Sequence, residues 1–283
     1  MEGKTCLVTG ANSGIGLETV RGLAARGAKV IMVCRNQGKG EAARQNLISS
    51  TGNNQIDLLV ADLSSLAEVR KLADDVNSRY DQLHVLIHNA GLMSRQREVS
   101  ADGFEMQFAV HHLATFLLTD LLLDLLKASA PARIINVASM MHKMGKINFD
   151  DLQCEKKFGA YSAYGQSKLA MIHYTYDLAE KLHGTGVTVN ALHPGAVATN
   201  IGFPGWMNMF LATPEKGART TLYLATSPEL EGVSGKYFNN CKVAKTSKIS
   251  YDREDGRRLW EITQGLCSLP SSQAGTQAGT QPS

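Results

Sequence analysis

"CLVTGANSGIGLETV", residues 6–20, decides the fold. An apolar run ends in a glycine-rich turn, and the turn opens onto a helical pattern. Gly10, Gly14 and Gly16 let the backbone turn tightly and approach a pyrophosphate. The free N–H groups and the dipole of the following helix favour that negative charge. The spacing is G-x-x-x-G-x-G, distinct from the general G-x-G-x-x-G dinucleotide fingerprint. Strand, turn and helix in this order predict the first βαβ unit of a nucleotide-binding α/β fold.

The rest of the chain extends that unit. Apolar runs at 4–9, 28–34, 55–60, 83–88, 132–138, 187–192 and 236–239 read as strands. Helical patterns lie between them at 15–26, 38–50, 64–79, 101–128, 161–183 and 214–226. Continuous apolar strands alternating with helices imply a parallel sheet covered on both faces, built with right-handed crossovers. The prediction is an α/β single-domain Rossmann fold, a doubly wound parallel sheet of about seven strands, over residues 1–270. Residues 271–283, "SSQAGTQAGTQPS", hold a tandem AGTQ and no large apolar side chain, and read as a disordered tail.

Composition narrows the function. The 283 residues are 43% hydrophobic and 19% charged, enough to bury a full core without staples. A net charge of +3 with scattered basic residues argues against a nucleic-acid partner. Five distant cysteines (Cys6, Cys34, Cys154, Cys241 and Cys267) form no C-x-x-C pair, which excludes a zinc knuckle and a disulfide framework. The longest apolar stretch, "LATFLLTDLLLDLL", is broken by Asp120 and Asp124 at helical spacing, so it reads as an amphipathic helix. With no signal peptide visible, a reducing, cytoplasmic location is expected of the chain as given, and membrane association if an N-terminal anchor belongs to it.

An acid about 20 residues past the glycines usually bonds the ribose 2′-hydroxyl of NAD. Residues 19–40 contain no acid, and the second strand ends in Cys34-Arg35. Arg35 offers a charge-assisted fork to a 2′-phosphate, which predicts NADP(H), with Lys39 a weaker reader. "AYGQSKLA" places Tyr164 and Lys168 four residues apart on one helical face. A tyrosine with a pKa near 10 is a poor acid/base until a nearby ammonium favours the phenolate. Ser139 in "RIINVASMM" ends the fifth strand, at the edge where doubly wound folds bind ligands.

These motifs resemble the classical short-chain dehydrogenase/reductase family, whose turn reads T-G-x-x-x-G-I-G. Thr9, Gly10, Ser13, Gly14, Ile15 and Gly16 match it position by position. The resemblance implies an acid near the adenine at Asp62, and a sheet-stabilising turn at Asn89, Ala90 and Gly91, with His88 in place of the family's first Asn. It places Pro194, Gly195, Val197 and Thr199 of "HPGAVAT" beside the nicotinamide. It also implies that Ser139 orients the substrate oxygen, Tyr164 transfers the proton, and Lys168 binds the nicotinamide ribose.

"FAVHHLATF", residues 108–116, departs from the pattern. His111 stands where the family's fourth catalytic element is an Asn anchoring a helix kink, whose backbone carbonyl holds a water behind the lysine. Because His donates and accepts, His111 is expected to preserve that relay, and His112 to fill the core. Adjacent helical residues point about 100° apart, so the pair is not expected to share a metal ion.

"VCRNQGKGEAAR", "HKMGKINFDDLQ" and "SGKYFNNCKV" further resemble the NADPH-preferring retinol dehydrogenase branch. That implies interconversion of a hydrophobic alcohol with its aldehyde or ketone, retinol/retinal first. A steroid or xenobiotic carbonyl reductase is the second reading, and a nucleotide-binding regulatory protein with little catalysis the third. Residues 200–213, rich in Gly, Met and aromatics, are expected to form an apolar lid, with Trp206, Met207, Met209 and Phe210 available to a membrane surface. The family also points to a homodimer or homotetramer.

Overall fold

β1 (Thr5–Thr9) is buried throughout and has parallel partners on both sides, which is why its sequence does not alternate. The computed structural model describes residues 1–196 and 212–269. Their sheet also contains β2 (Lys29–Cys34), β3 (Ile56–Val60), β4 (Val85–His88), β5 (Ala132–Val137), β6 (Val187–His193), β7 (Lys236–Asn239) and β8 (Lys242–Val243). The order is β3-β2-β1-β4-β5-β6-β7-β8. All neighbours are parallel except β7 and β8. The expected seven strands are present, with β8 added as a two-residue antiparallel edge too short to show a period. The order reverses between β1 and β4, and ligands of doubly wound folds bind at such a switch point.

Helices cover both faces. α1 (Gly14–Ala24), α2 (Gln37–Thr51) and α3 (Leu66–Arg79) follow the first three strands. Asn36 and Ser65 cap α2 and α3 by accepting the Lys39 and Glu68 amides. α7 (Ala160–Lys181) precedes β6, and α8 (Pro214–Thr226) precedes β7. One apolar layer contains Cys6, Val8, Val30, Met32 and Ile87 with Val20, Leu23 and Leu224 from α1 and α8. The other contains Leu7, Ile31, Leu86 and Ile134 with Leu72, Val76, Leu169 and Tyr174 from α3 and α7. Each such large side chain contributes about 1.5–3 kcal/mol on burial.

Two helical expectations change. The span 101–128 is not one helix: it starts at α4 (Met106–Phe108), passes through a π-helical turn at Ala109–Leu113, and continues as α5 (Ala114–Leu121) and α6 (Leu123–Ala128). Its start is set by Glu105, whose carboxylate accepts the Gln107 and Phe108 amides at 3.0 and 2.8 Å. A segment buried nearly all round has no polar stripe to mark such internal breaks. The second change is α9 (Arg253–Leu266), which the sequence pattern had not revealed. Its buried stripe is only Gly256, Leu259 and Thr263 in a charged segment, and Asp252 caps it by accepting the Glu254 and Asp255 amides. Among the described residues, no helix is long and apolar enough to cross a membrane.

Candidate active site

The turn after β1 and the turn after β4 are laced together. Thr9 Oγ1 accepts the Asn89 and Ala90 amides, each at 3.0 Å. Asn89 Nδ2 donates back to the Thr9 carbonyl at 2.9 Å and the Gly10 carbonyl at 3.3 Å. Gly10 sits at φ +65°, and a Cβ there would lie 2.8 Å from Ala90 Cα. At Gly16 a Cβ would run into the Gly10 carbonyl and the Asn89 amide. Both positions therefore exclude any side chain, and the first turn of α1 stays close against the loop.

A cleft of about 630 Å³ runs over these turns along the strand order. Arg35 and Asp62 lie at the β2–β3 end, followed by Gly10, Ser13, Gly14, Ile15 and Gly16, then by Asn89, Ala90 and Gly91. Tyr164, Lys168 and Pro194 line the β5–β6 end. Gly195 follows Pro194 at φ +93°. Val197 and Thr199, like most of the 200–213 segment and the 271–283 tail, lie outside the described residues. The elongated shape, the side-chain-free cradle and the helix N-terminus fit a dinucleotide laid across the switch point.

At the first end, the Asp62 carboxylate is engaged in its own turn, accepting the Ser64 amide at 2.9 Å and hydroxyl at 2.8 Å. Arg35 Nη1 stands 3.8 Å from Asp62, and its side chain is 72% exposed. Its guanidinium is thus loosely held and open to an anion. Lys39 is exposed on the first turn of α2.

At the other end, α7 brings Tyr164 and Lys168 to the end of β5. Lys168 is buried, and its Nζ donates to the Val137 carbonyl at 3.0 Å and lies 5.7 Å from the Tyr164 ring centre. Burial pulls the Lys168 ammonium down to about 7 and pushes the Tyr164 phenol up to about 12, while the Ser139 hydroxyl bonded to the phenol draws it the other way. Ser139 Oγ also accepts the Met141 amide at 3.2 Å. Two histidines brace this loop. His142 Nδ1 meets the Ser139 carbonyl at 2.6 Å, and His193 Nδ1 accepts the Met140 amide at 3.3 Å.

The adjacent histidines of the π-helical turn go to different helices. His111 is fully buried, with Nε2 accepting the Leu92 amide at 3.0 Å and Nδ1 2.8 Å from Ser167 Oγ on α7. His112 Nε2 lies 2.8 Å from Thr263 Oγ1 on α9, within a cluster of Phe108, Phe116 and Tyr174 rings. His88 Nε2 bonds Thr119 Oγ1 at 2.8 Å. Burial pushes His88 and His112 down to about 3 and His111 well below the usual imidazole range. The sequence reading missed Ser167 and the Leu92 amide. Ser167 had a local signal, since a helical hydroxyl three residues after Tyr164 reaches back to its carbonyl, at 2.8 Å here. The Leu92 amide had none, because its partner is 19 residues away. Among the described residues, no group of three or more His, Cys, Asp or Glu side chains gathers as a metal site.

A doubly wound sheet with this glycine cradle, and with Ser139, Tyr164 and Lys168 gathered at one end, is an architecture suited to binding a dinucleotide. The short chain dehydrogenase family model matches residues 4–204, and the chain belongs to that family. Human retinol dehydrogenase 11 is 44% identical over 278 residues, covering 95% of this chain and 87% of its own. Mouse retinol dehydrogenase 14 is 44% identical over 293 residues, covering 95% and 87%. Among solved structures, a Mycobacterium paratuberculosis protein is 33% identical with a TM-score of 0.80, covering 95% of this chain and 94% of its own. An Escherichia coli short chain dehydrogenase complexed with NADPH is 26% identical with a TM-score of 0.72, covering 86% and 98%.

Proposed function

We propose that this protein is an NADP(H)-dependent oxidoreductase that interconverts a hydrophobic alcohol, foremost retinol, with its aldehyde or ketone. The observation that carries the reading is that Tyr164 and Lys168 line the same cleft as the glycine turn, with the Ser139 hydroxyl bonded to the Tyr164 phenol. Bound in that cleft, the dinucleotide supplies or takes up the hydride. Arg35 supports the phosphorylated form, because an exposed guanidinium without an acid at the end of β2 suits a 2′-phosphate. The Escherichia coli neighbour complexed with NADPH supports the cofactor, and the 44% identity to a retinol dehydrogenase supports the substrate class.

The proton chemistry belongs to the chain. With its phenol held well above neutrality, Tyr164 is protonated at working pH and is the acid a carbonyl oxygen needs. Ser139, bonded to that phenol, donates a hydrogen bond to the same oxygen as charge develops on it. Lys168, 5.7 Å from the Tyr164 ring centre, would in its charged form favour the phenolate left behind, and would hold the nicotinamide ribose when the cofactor is bound. Alcohol oxidation runs the same steps backwards. A lipophilic substrate suits the exposed apolar side chains that neighbour the site in sequence: Met140 and Met144 after Ser139, and Tyr161 one turn before Tyr164, are 50%, 71% and 59% exposed.

The test is Tyr164→Phe, assayed with all-trans-retinal and NADPH. Retinol formation by the native protein should fall by about 10³-fold or more in the variant, with NADPH binding, followed by its fluorescence, unchanged. Equal turnover by both proteins, or binding of NADPH with no turnover of retinal or of a steroid and xenobiotic carbonyl panel, overturns the reading.

A further inference from the structure

We propose that His111 is a positioning residue: as a neutral imidazole protonated on Nδ1, it holds Tyr164 in place through Ser167. The proposal rests on the reading of Tyr164 as the proton-transfer residue and goes beyond it.

The hydrogen-bond directions are set by chemistry. A backbone N–H only donates, so the Leu92 amide at 3.0 Å requires a lone pair on His111 Nε2. The ring proton of the neutral imidazole then sits on Nδ1 and donates to Ser167 Oγ at 2.8 Å. The Ser167 hydroxyl passes its own proton on, donating to the Tyr164 carbonyl at 2.8 Å. Three bonds thus run in one direction, from the loop after β4 to the backbone of the residue that moves the proton. Moving the ring proton to Nε2 would set two N–H groups against each other at a fully buried nitrogen.

Two further contacts fit the same role. The His111 ring meets the Tyr164 ring edge-on, with centres 5.4 Å apart and planes at 86°. A Cβ placed on Gly91 would lie 3.2 Å from His111 Nε2 and 3.8 Å from Lys168 Nζ, so both nitrogens border the space that glycine leaves empty. A second positive charge there would oppose Lys168, and the amide bond from Leu92 excludes it by occupying Nε2. The π-helical turn makes the reach feasible: its extra residue per turn directs His111 to α7 while His112 goes to α9.

Two readouts test this. In protein labelled with ¹⁵N-histidine, His111 Nε2 should show the unprotonated, pyridine-type shift and Nδ1 the protonated, pyrrole-type shift. In protein labelled with ¹³Cζ-tyrosine, the Tyr164 signal, assigned through Tyr164→Phe, should move in Ser167→Ala and in His111→Asn, whose shorter side chain cannot span both partners. The double variant should move it no further than one single variant does. The same variants should lose about ten-fold in kcat with the KM for NADPH within about two-fold. A protonated Nε2, an unmoved Tyr164 signal, or additive effects of the two substitutions would overturn the proposal, and Ser167→Ala alone decides if His111→Asn fails to fold. Because the labelled-protein readouts need no turnover, an inactive native enzyme would count against the oxidoreductase reading while leaving them decisive for His111.

Discussion

Burial drives Tyr164 and Lys168 toward their neutral forms, up to about 12 and down to about 7. For Lys168 this has a stability consequence. Between about pH 7 and 10 the unfolded chain binds a proton at this lysine that the folded chain does not, so stability rises with pH across that window. Below pH 7 the penalty is fully present. Lys168→Met should therefore abolish retinal reduction yet raise stability at pH 6, by up to about 4 kcal/mol, the gain shrinking toward pH 10. Urea unfolding at the two pH values checks the sign. A second residue-scale prediction concerns Arg35. Arg35→Ala should raise the KM for NADPH about ten-fold or more and leave that for NADH nearly unchanged, and steady-state kinetics with both cofactors would expose an equal effect. The convergence of Tyr164 and Lys168 was legible in their local spacing and the exposed cation at Arg35 in the absent acid, whereas Ser139 was marked only by the family resemblance. The partners of His111 were not, because Leu92 and Ser167 reach it only across the fold.

At the scale of elements, the joint between the two laced turns is the least forgiving. Gly16→Ala should prevent the α1 N-terminus from seating on the Gly10 carbonyl, abolishing NADPH binding and lowering stability by about 2 kcal/mol. Calorimetry with and without cofactor reads both effects, and a variant that binds normally would show that the loop can shift. The α1 unit was legible because its strand, turn and helix are contiguous. By contrast, the break-up of span 101–128 depends on Glu105 capping α4 and on contacts from α7 and α9, which no local period records. α9 escaped for the opposite reason. Its single narrow stripe is covered by the rest of the molecule, with Leu259 buried and Thr263 bonded to His112.

Across the whole molecule, the histidines His88, His111 and His112 are buried and neutral. Their folded pKa values lie below the unfolded one, so the unfolded chain takes up the protons first. Stability is fully present above about pH 6.5 and is lost as pH falls, each histidine steepening the loss by about 1.4 kcal/mol per pH unit. His88→Asn should remove one such increment between about pH 6.5 and 3, seen by comparing urea midpoints at pH 6 and pH 4.5; an unchanged slope would show that His88 titrates normally in the fold. The sequence by itself determined the parallel sheet, the glycine cradle and the Tyr-Lys pair, because strand burial, turn geometry and the i, i+4 relation are short-range consequences of residue type. Only the tertiary structure decided what His111 and His112 do, where α9 packs and how the loop after Ser139 is braced. Those depend on which donor meets which acceptor once distant segments are buried together, and burial then fixes both tautomer and charge.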